Sequence, residues 1–126
     1  MTTSDEALTQ ARDEFCAHVR AGEAALKAPE PNVAEADQYT DATNAQVAEW
    51  DKQGTTAAVL LPLLAEDQQA AVRCAAGTYL LSRGHEQEAL PVLESLAEDD
   101  EIGLVAEDAD MAIVQWRRKQ AAKSQQ

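Results

Sequence analysis

The segment His85-Glu86-Gln87-Glu88 contains the residue types with which a zinc-dependent protease binds its metal and activates water. In such enzymes a second histidine follows the first by four residues, but position 89 of this chain is an alanine. His18 is the only other histidine, so the usual donors of a three-ligand zinc site are not present. We therefore expect no metal site, with His85 as a solvated residue in a turn.

The run Glu98-Asp99-Asp100-Glu101 offers carboxylates that could bind calcium. It lacks the alternating acids, the glycine and the terminal glutamate of an EF-hand loop. A simpler explanation is electrostatic, because acids before a helix interact favourably with the positive end of its dipole. Arg117, Arg118 and Lys119 stand at the other end of the same predicted helix. We therefore interpret the acidic run as helix capping.

Other chemistry has no support in the residue pattern. The five glycines are isolated, so no glycine-rich phosphate loop exists, and the four serines lack the flanking pattern of an activated nucleophile. With 23 acids in 126 residues, paired carboxylates are unavoidable and uninformative. Cys16 and Cys74 lie on apolar helix faces and are expected to be reduced core thiols of a cytosolic protein. We expect no catalytic residue, no cofactor and no enzymatic activity.

Charge is the one functional lead. The net charge is −13, and from His85 to Trp116 there are ten acids and no lysine or arginine. This charge disfavours nucleic acid and anionic membranes as partners and favours a basic protein. The alternative is a surface that only confers solubility. If the charge serves binding, three acids of the last helix are the candidate contacts: Glu107, Asp108 and Asp110. Trp116 is interpreted as a core residue, with an aromatic contact for a partner as the alternative.

Composition indicates one helical domain. A chain of 126 residues can bury roughly two-thirds of its unfolded surface. Alanine and leucine carry most of the hydrophobicity, whereas aromatics are 4% of the residues and proline and glycine are scarce. The longest apolar run, residues 57–65, is far shorter than the ~20 residues of a membrane-spanning helix. The amino terminus has no secretory signal pattern, so we expect a cytoplasmic protein.

Hydrophobic spacing and capping residues predict six helices. The first begins at a capping box, Thr3 with Glu6, and the second begins at another, Asn32 with Glu35, and ends at Gly54. Gly77, inside the fourth helix, predicts close packing against another helix, with a hinge as the alternative. The predicted helices cover residues 3–27, 32–54, 56–66, 68–82, 86–97 and 102–120, followed by a fraying tail at 121–126.

A broken repeat is visible in the second half of the chain. Leu61-Pro62-Leu63-Leu64 returns as Leu90-Pro91-Val92-Leu93 after 29 residues, and Asp67, Val72, Ala76 and Leu80-Leu81 return as Asp100, Val105, Ala109 and Ile113-Val114 after 33. Two units of about 30 residues are typical of stacked helix pairs. Each proline either kinks a helix or lies in its first turn. In this arrangement Val72, Ala76, Leu80 and Leu93 should be fully buried.

The ten residues from Asp67 to Ala76 resemble a HEAT repeat, in which an aspartate closes one helix and Val-Arg-x-x-Ala-Ala opens the next. The resemblance covers about residues 55–116, although Ala106 replaces the arginine in the second unit. It implies that Asp67 and Arg73 form a polar ladder between repeats. The Trp-x-x-Leu-Gly-x-x-Tyr box of tetratricopeptide repeats, the runner-up, is absent.

The whole chain also resembles a group of small, uncharacterised bacterial proteins with a HEAT-like fold. They share a Val-Arg-x-x-Ala-Ala box, an Ala-x-x-Leu/Val-Leu helix and a terminal tryptophan. The matching residues here are 72–76, with one residue rather than two before the alanine pair, then 89–93 and Trp116. The resemblance implies an all-α, right-handed αα-superhelix of six helices in three antiparallel pairs. The expected parts are an amino-terminal cap (1–54), a first repeat (55–84), a second repeat (85–120) and a flexible tail (121–126).

These observations predict a non-enzymatic, cytoplasmic helical-repeat module that binds a protein partner, and the candidate partner is a basic protein. A narrower alternative is an immunity protein, the antidote to a basic bacterial toxin. An enzyme with a site built from scattered carboxylates is the alternative from another class, and no motif favours it.

Overall fold

The protein is predominantly helical over residues 5–124, the part of the chain described by the computed structural model. Within these residues there are six α-helices, one 3-10 helix and no strand, as the sequence predicted. The helices are α1 (Asp5–Lys27), α2 (Val33–Gln53), α3 (Thr56–Leu60), α4 (Ala70–Leu81), α5 (Glu86–Ala97) and α6 (Leu104–Ser124), with the 3-10 segment at Leu61–Leu64. The chain divides into two compact units at Leu63 and Leu64. The predicted first repeat, residues 55–84, includes parts of both units.

Local signals set the bounds of α2. The Asn32 side chain accepts a hydrogen bond from the Glu35 backbone N–H at 2.9 Å, as the predicted capping box requires. At the other end Gly54 adopts a left-handed backbone with φ of 73°, a conformation that costs glycine little. The predicted capping box at Thr3 lies outside the described residues.

The first unit is an α1–α2 pair against which the short α3 also packs. On the inner side of α2, Tyr39 is half-buried and the residues at helical spacing around it are buried: Ala36, Thr43, Val47 and Trp50. Phe15 of α1 is fully buried and meets Trp50 of α2 with ring centroids 5.9 Å apart. Two aromatic side chains therefore anchor this helix pair.

Pro62 ends α3 much earlier than the sequence predicted. The predicted helix ran to Glu66, but the α-helix stops at Leu60 and a four-residue 3-10 turn follows. Proline has no backbone N–H, so it cannot bond the carbonyl of Ala58, four residues before it. The Arg12 side chain of α1 does so instead: Nη2 donates to Ala58 O at 3.1 Å and Nε donates to Val59 O at 3.0 Å.

The second unit contains α4, α5 and α6, and each of these helices packs against the other two. A Cβ atom added to Gly77 of α4 would lie 3.2 Å from both Cγ and Cδ2 of Leu93 in α5. Leu93 itself is fully buried. Gly77 therefore allows the close helix contact that the sequence predicted.

The segments related by 29 residues differ in secondary structure, whereas those related by 33 residues are largely alike in burial. Leu61–Leu64 forms a 3-10 turn, whereas the matching residues 90–93, with Pro91, continue inside α5. Pro91 is beyond the first turn of that helix, so the first-turn alternative does not apply to it. In contrast, most apolar residues related by 33 positions share burial: Val72 and Val105 are both buried, and so are Ala76 and Ala109. The exception is the pair of the buried Leu81 and the half-buried Val114.

The four residues predicted to be fully buried are buried. Val72 is 1% exposed, and Ala76, Leu80 and Leu93 are 0% exposed. The last helix differs from its predicted bounds, because α6 begins at Leu104 rather than residue 102 and continues to Ser124. The first part of the predicted tail, residues 121–124, is therefore helical.

Candidate functional site

The acidic run before α6 forms a turn of its own. Asp99 Oδ1 accepts a hydrogen bond from the Glu101 backbone N–H at 2.9 Å, and Gly103 has a φ of 59°. The run is separated from the first residue of α6 by Ile102 and Gly103, and Glu107 is the acid within the first helical turn. Because dipole effects fade beyond one turn, Glu107 is better placed than residues 98–101 to stabilise the helix start.

Three predicted contact residues, Glu107, Asp108 and Asp110, are exposed on α6. The ion pairs formed among residues 5–124 include none of them. Their charge is therefore uncompensated by any local cation and is available to a ligand.

Asp108 lies at the border between the exposed side of α6 and α4. Partial burial is the main cause that raises the pKa of its carboxyl, and the adjacent charge of Glu107 adds a smaller effect. Asp108 in turn raises the pKa of the Cys74 thiol on α4. A cation bound beside Asp108 would favour the charged carboxylate and therefore lower the pKa of the Asp108 carboxyl.

Two large apolar side chains accompany these acids on the exposed side of α6. Leu104 is 59% exposed and Met111 is 53% exposed. They are seven residues apart, and Glu107 stands three or four residues from each, so all three share one helix face. We call the exposed residues of this side, from Leu104 to Ala121, the α6 outer face. Its centre is opposite the buried residues Val105, Ala109 and Ile113.

Trp116 does not belong to the α6 outer face. It follows Glu107 by nine residues, about two and a half helical turns, and therefore points to the opposite side. It is half-buried and lies one turn beyond the buried Ile113. The structure thus brings three of the four predicted contact residues together, and a binding role for Trp116 stays a separate prediction.

The carboxy-terminal half of α6 is basic. Arg117 Nη2 lies 3.9 Å from Glu94 Oε2 of α5, and both side chains are largely exposed, so this pair contributes little stability. Arg118 and Lys119 are exposed and have no ion pair among the described residues. The helix therefore carries acids in one half and bases in the other.

The two cysteines are free and buried. Burial is the largest cause that raises the pKa of Cys74 to about 11, so its thiol is protonated at neutral pH. The Cys74 Sγ lies 3.9 Å from the carbonyl oxygen of Val105. Burial also raises the pKa of Cys16, with a smaller opposing effect of Arg20. A protonated thiol is a poor nucleophile.

The histidines have structural partners. His18 Nδ1 is 3.1 Å from Gln46 Oε1. His85, predicted as a solvated turn residue, is half-buried at the start of α5, where its carbonyl accepts the backbone N–H of Ala89 at 2.9 Å. Within residues 5–124, no group of three His, Cys, Asp or Glu side chains is arranged to hold a metal ion.

The structure does not pair Asp67 with Arg73. Asp67 is exposed, and Arg73 Nε donates a long hydrogen bond, 3.4 Å, to the carbonyl oxygen of Leu64. Between these two described residues there is no ion pair. The polar ladder implied by the HEAT resemblance stays a prediction.

Comparison with known proteins assigns no relative. No protein-family model matches this chain, and neither curated proteins nor solved structures give a significant match. The HEAT-like resemblance therefore depends on the motif residues alone. Among the helices of residues 5–124, none combines the length and apolarity needed to cross a lipid bilayer.

Sequence reasoning missed two features of the molecule. It did not single out Arg12, although a proline after four helical residues signals a carbonyl that needs another donor. It also did not identify Leu104 and Met111 as exposed. The heptad spacing of these two residues was readable, but their orientation depends on which side of α6 packs against α4 and α5.

Proposed function

We propose that this protein is a non-enzymatic helical-repeat module, of HEAT-like αα-superhelical type, that binds a basic protein through the acidic half of the α6 outer face. The observation that carries the proposal is the exposure of Glu107, Asp108 and Asp110 without a cation partner among the described residues. Met111, exposed beside these acids, adds the apolar contact that protein interfaces favour.

Charge decides which partner this face would accept. Ten acids and no bases occur between His85 and Trp116, so a basic surface gains favourable encounter energy over the whole region. Helix capping explains only part of this excess, because Glu107 alone lies in the first turn of α6. A surface needed only for solubility would not require acids grouped around an exposed methionine.

The test is capture from lysate of the source cell with two baits, the wild-type chain and a triple variant with Glu107→Lys, Asp108→Lys and Asp110→Lys. Surface substitutions usually change stability by less than ~0.5 kcal/mol, and loss of the dipole interaction at Glu107 adds about 0.3–1 kcal/mol. The triple variant should therefore fold. We expect a basic protein to be retained by the wild type and lost by the variant.

A matched control keeps the total charge change and moves it to the other unit. Asp13→Lys, Asp37→Lys and Asp41→Lys alter three exposed helical acids of α1 and α2. This control should retain the partner. Association rates of the captured protein are then measured at two ionic strengths, and the triple variant should be slower, most of all at low salt. An association rate of the triple variant equal to that of the wild type at low salt would indicate that the acidic face only confers solubility.

The antidote hypothesis is a narrower form of this proposal, with a basic toxin as the partner. The same charge distribution supports it, because it gives fast association with a positively charged surface. The genes beside the coding sequence distinguish the two forms. A neighbouring gene for a secreted basic toxin would support the antidote, and a metabolic operon would count against it.

A further inference from the structure

We infer that the α6 outer face pairs in antiparallel orientation with the same face of a second copy of this chain. The inference does not depend on a basic partner protein. It follows from the distribution of charge and apolar surface along α6 itself.

The charge pattern of α6 is complementary to its own reverse. Three exposed acids occupy one half of the helix: Glu107, Asp108 and Asp110. Four exposed bases occupy the other half: Arg117, Arg118, Lys119 and Lys123. Two such helices placed in parallel would set acids against acids and bases against bases. In the antiparallel orientation every acid lies opposite the basic half of the other copy.

One alignment satisfies both the apolar and the charged residues. When Met111 of one copy faces the half-buried Val114 of the second copy, Glu107 is level with Arg118 of that copy. Asp110 is then within ~3 Å, measured along the axis, of Arg117 on the same flank, and Asp108 is similarly close to Lys119. By two-fold symmetry each of these contacts occurs twice.

The apolar residues give this contact a centre. Met111 is 53% exposed and Leu104 is 59% exposed, and both lie on the side of α6 that α4 and α5 leave open. In the same alignment Leu104 is level with Ala121 of the second copy. Apolar residues flanked by complementary charges are the usual composition of a helix-to-helix interface.

The interface is small, so the dimer is expected to be weak. α6 has 21 residues and is about 31 Å long, and a single helix pair buries less surface than the roughly 1,200 Å² of a stable interface. We expect a dissociation constant between the micromolar and millimolar range. Since the pairing covers Glu107 and Asp108, a basic partner would compete with it, and dimer formation would regulate access to the acidic face.

Charge reversal provides a decisive experiment. The basic variant carries Glu107→Lys, Asp108→Lys and Asp110→Lys. The acidic variant carries Arg117→Glu, Arg118→Glu and Lys119→Glu and keeps Lys123 as the one base of α6. Sedimentation is measured from about 10 µM to about 1 mM at 0.15 M salt, where the Debye length of ~8 Å suppresses repulsion between distant charges. The wild type should dimerise with concentration, each variant alone should remain monomeric, and an equimolar mixture should form heterodimers.

The mixture separates local pairing from net charge. Both variants keep a negative net charge, so attraction between them cannot arise from the overall charge of the molecules. The control variant Asp13→Lys, Asp37→Lys, Asp41→Lys should dimerise like the wild type. The inference is overturned if the wild type stays monomeric over the whole range, if either charge-reversed variant dimerises alone, or if the mixture remains monomeric.

A second variant keeps the test valid if a charge-reversed helix fails to fold. Leu104→Ser with Met111→Ser changes only side chains that are more than half exposed, so circular dichroism should show an intact helical fold. Its dimer should be at least tenfold weaker than that of the wild type. Equal dimerisation of the wild type and this variant would show that the α6 outer face is not the interface.

Discussion

Arg12→Met tests whether a side chain of α1 stabilises the end of α3 at Pro62. The substitution keeps an apolar stem on α1 and removes the two donors that bind Val59 O and Ala58 O at 3.0 and 3.1 Å. Hydrogen bonds from charged donors contribute about 1.5–3 kcal/mol each when buried, but this contact is half-buried at best. Water can reach the carbonyls after the substitution, so we expect a total loss of about 1–2 kcal/mol.

A double-mutant cycle with Pro62→Ala identifies the cause. Alanine at position 62 supplies the backbone N–H that proline lacks, and this N–H can bond the carbonyl of Ala58. In that background Arg12→Met should cost less, with a coupling energy of about 0.5–1 kcal/mol. The cost of Arg12→Met falls in that background because Ala58 O then has a backbone donor and no longer needs the Arg12 side chain.

Urea denaturation measures each free energy of unfolding. Far-UV circular dichroism follows the whole chain, and Trp50 fluorescence in a Trp116→Phe background follows the first unit. Arg20→Met is the matched control, because Arg20 is an exposed arginine of the same helix. The explanation is refuted if Arg12→Met changes stability by no more than Arg20→Met, or if its cost is unchanged in the Pro62→Ala background.

Three further predictions concern the core, a cap and a thiol. Leu80→Ala should lower the free energy of unfolding, measured by urea denaturation, by about 2–5 kcal/mol. Gly77→Ala should lower it by about 1–2 kcal/mol, because the new Cβ would press on the buried Leu93 by more than the gain in helix propensity offsets. Asn32→Ala should lower the free energy of unfolding by about 0.5–2 kcal/mol through loss of the α2 cap, whereas Asn32→Ser should retain most of it. The folded-state pKa of Cys74, about 11, exceeds that of the unfolded thiol, so its contribution to stability is complete below pH ~8.5 and is lost as the pH rises toward 11. Between pH 8 and 11 the midpoint temperature of thermal unfolding should therefore fall more steeply for the wild type than for Cys74→Ala. Equal slopes for the two proteins would contradict this assignment.

The sequence by itself determined the helical class and most helix bounds, because the signals that specify them are local. The Asn32 cap and the Gly54 terminus act within one helical turn, and each defined an end of α2 correctly. Spacing of three and four residues likewise identified the buried residues Val72, Ala76 and Leu80. The acids of the candidate site were also readable from composition alone, since charged residues remain exposed in almost any fold.

Tertiary structure decided what local signals could not specify. At the end of α3, Pro62 leaves the carbonyl of Ala58 without a backbone donor, and Arg12, 46 positions earlier in the chain, donates to it instead. The similar segment Leu90-Pro91-Val92-Leu93 continues as α-helix in α5, so the four-residue pattern does not determine its own conformation. The α6 outer face, with Leu104 and Met111 beside the acids and Trp116 turned away, exists because α4 and α5 pack against one side of α6 and leave the other to solvent.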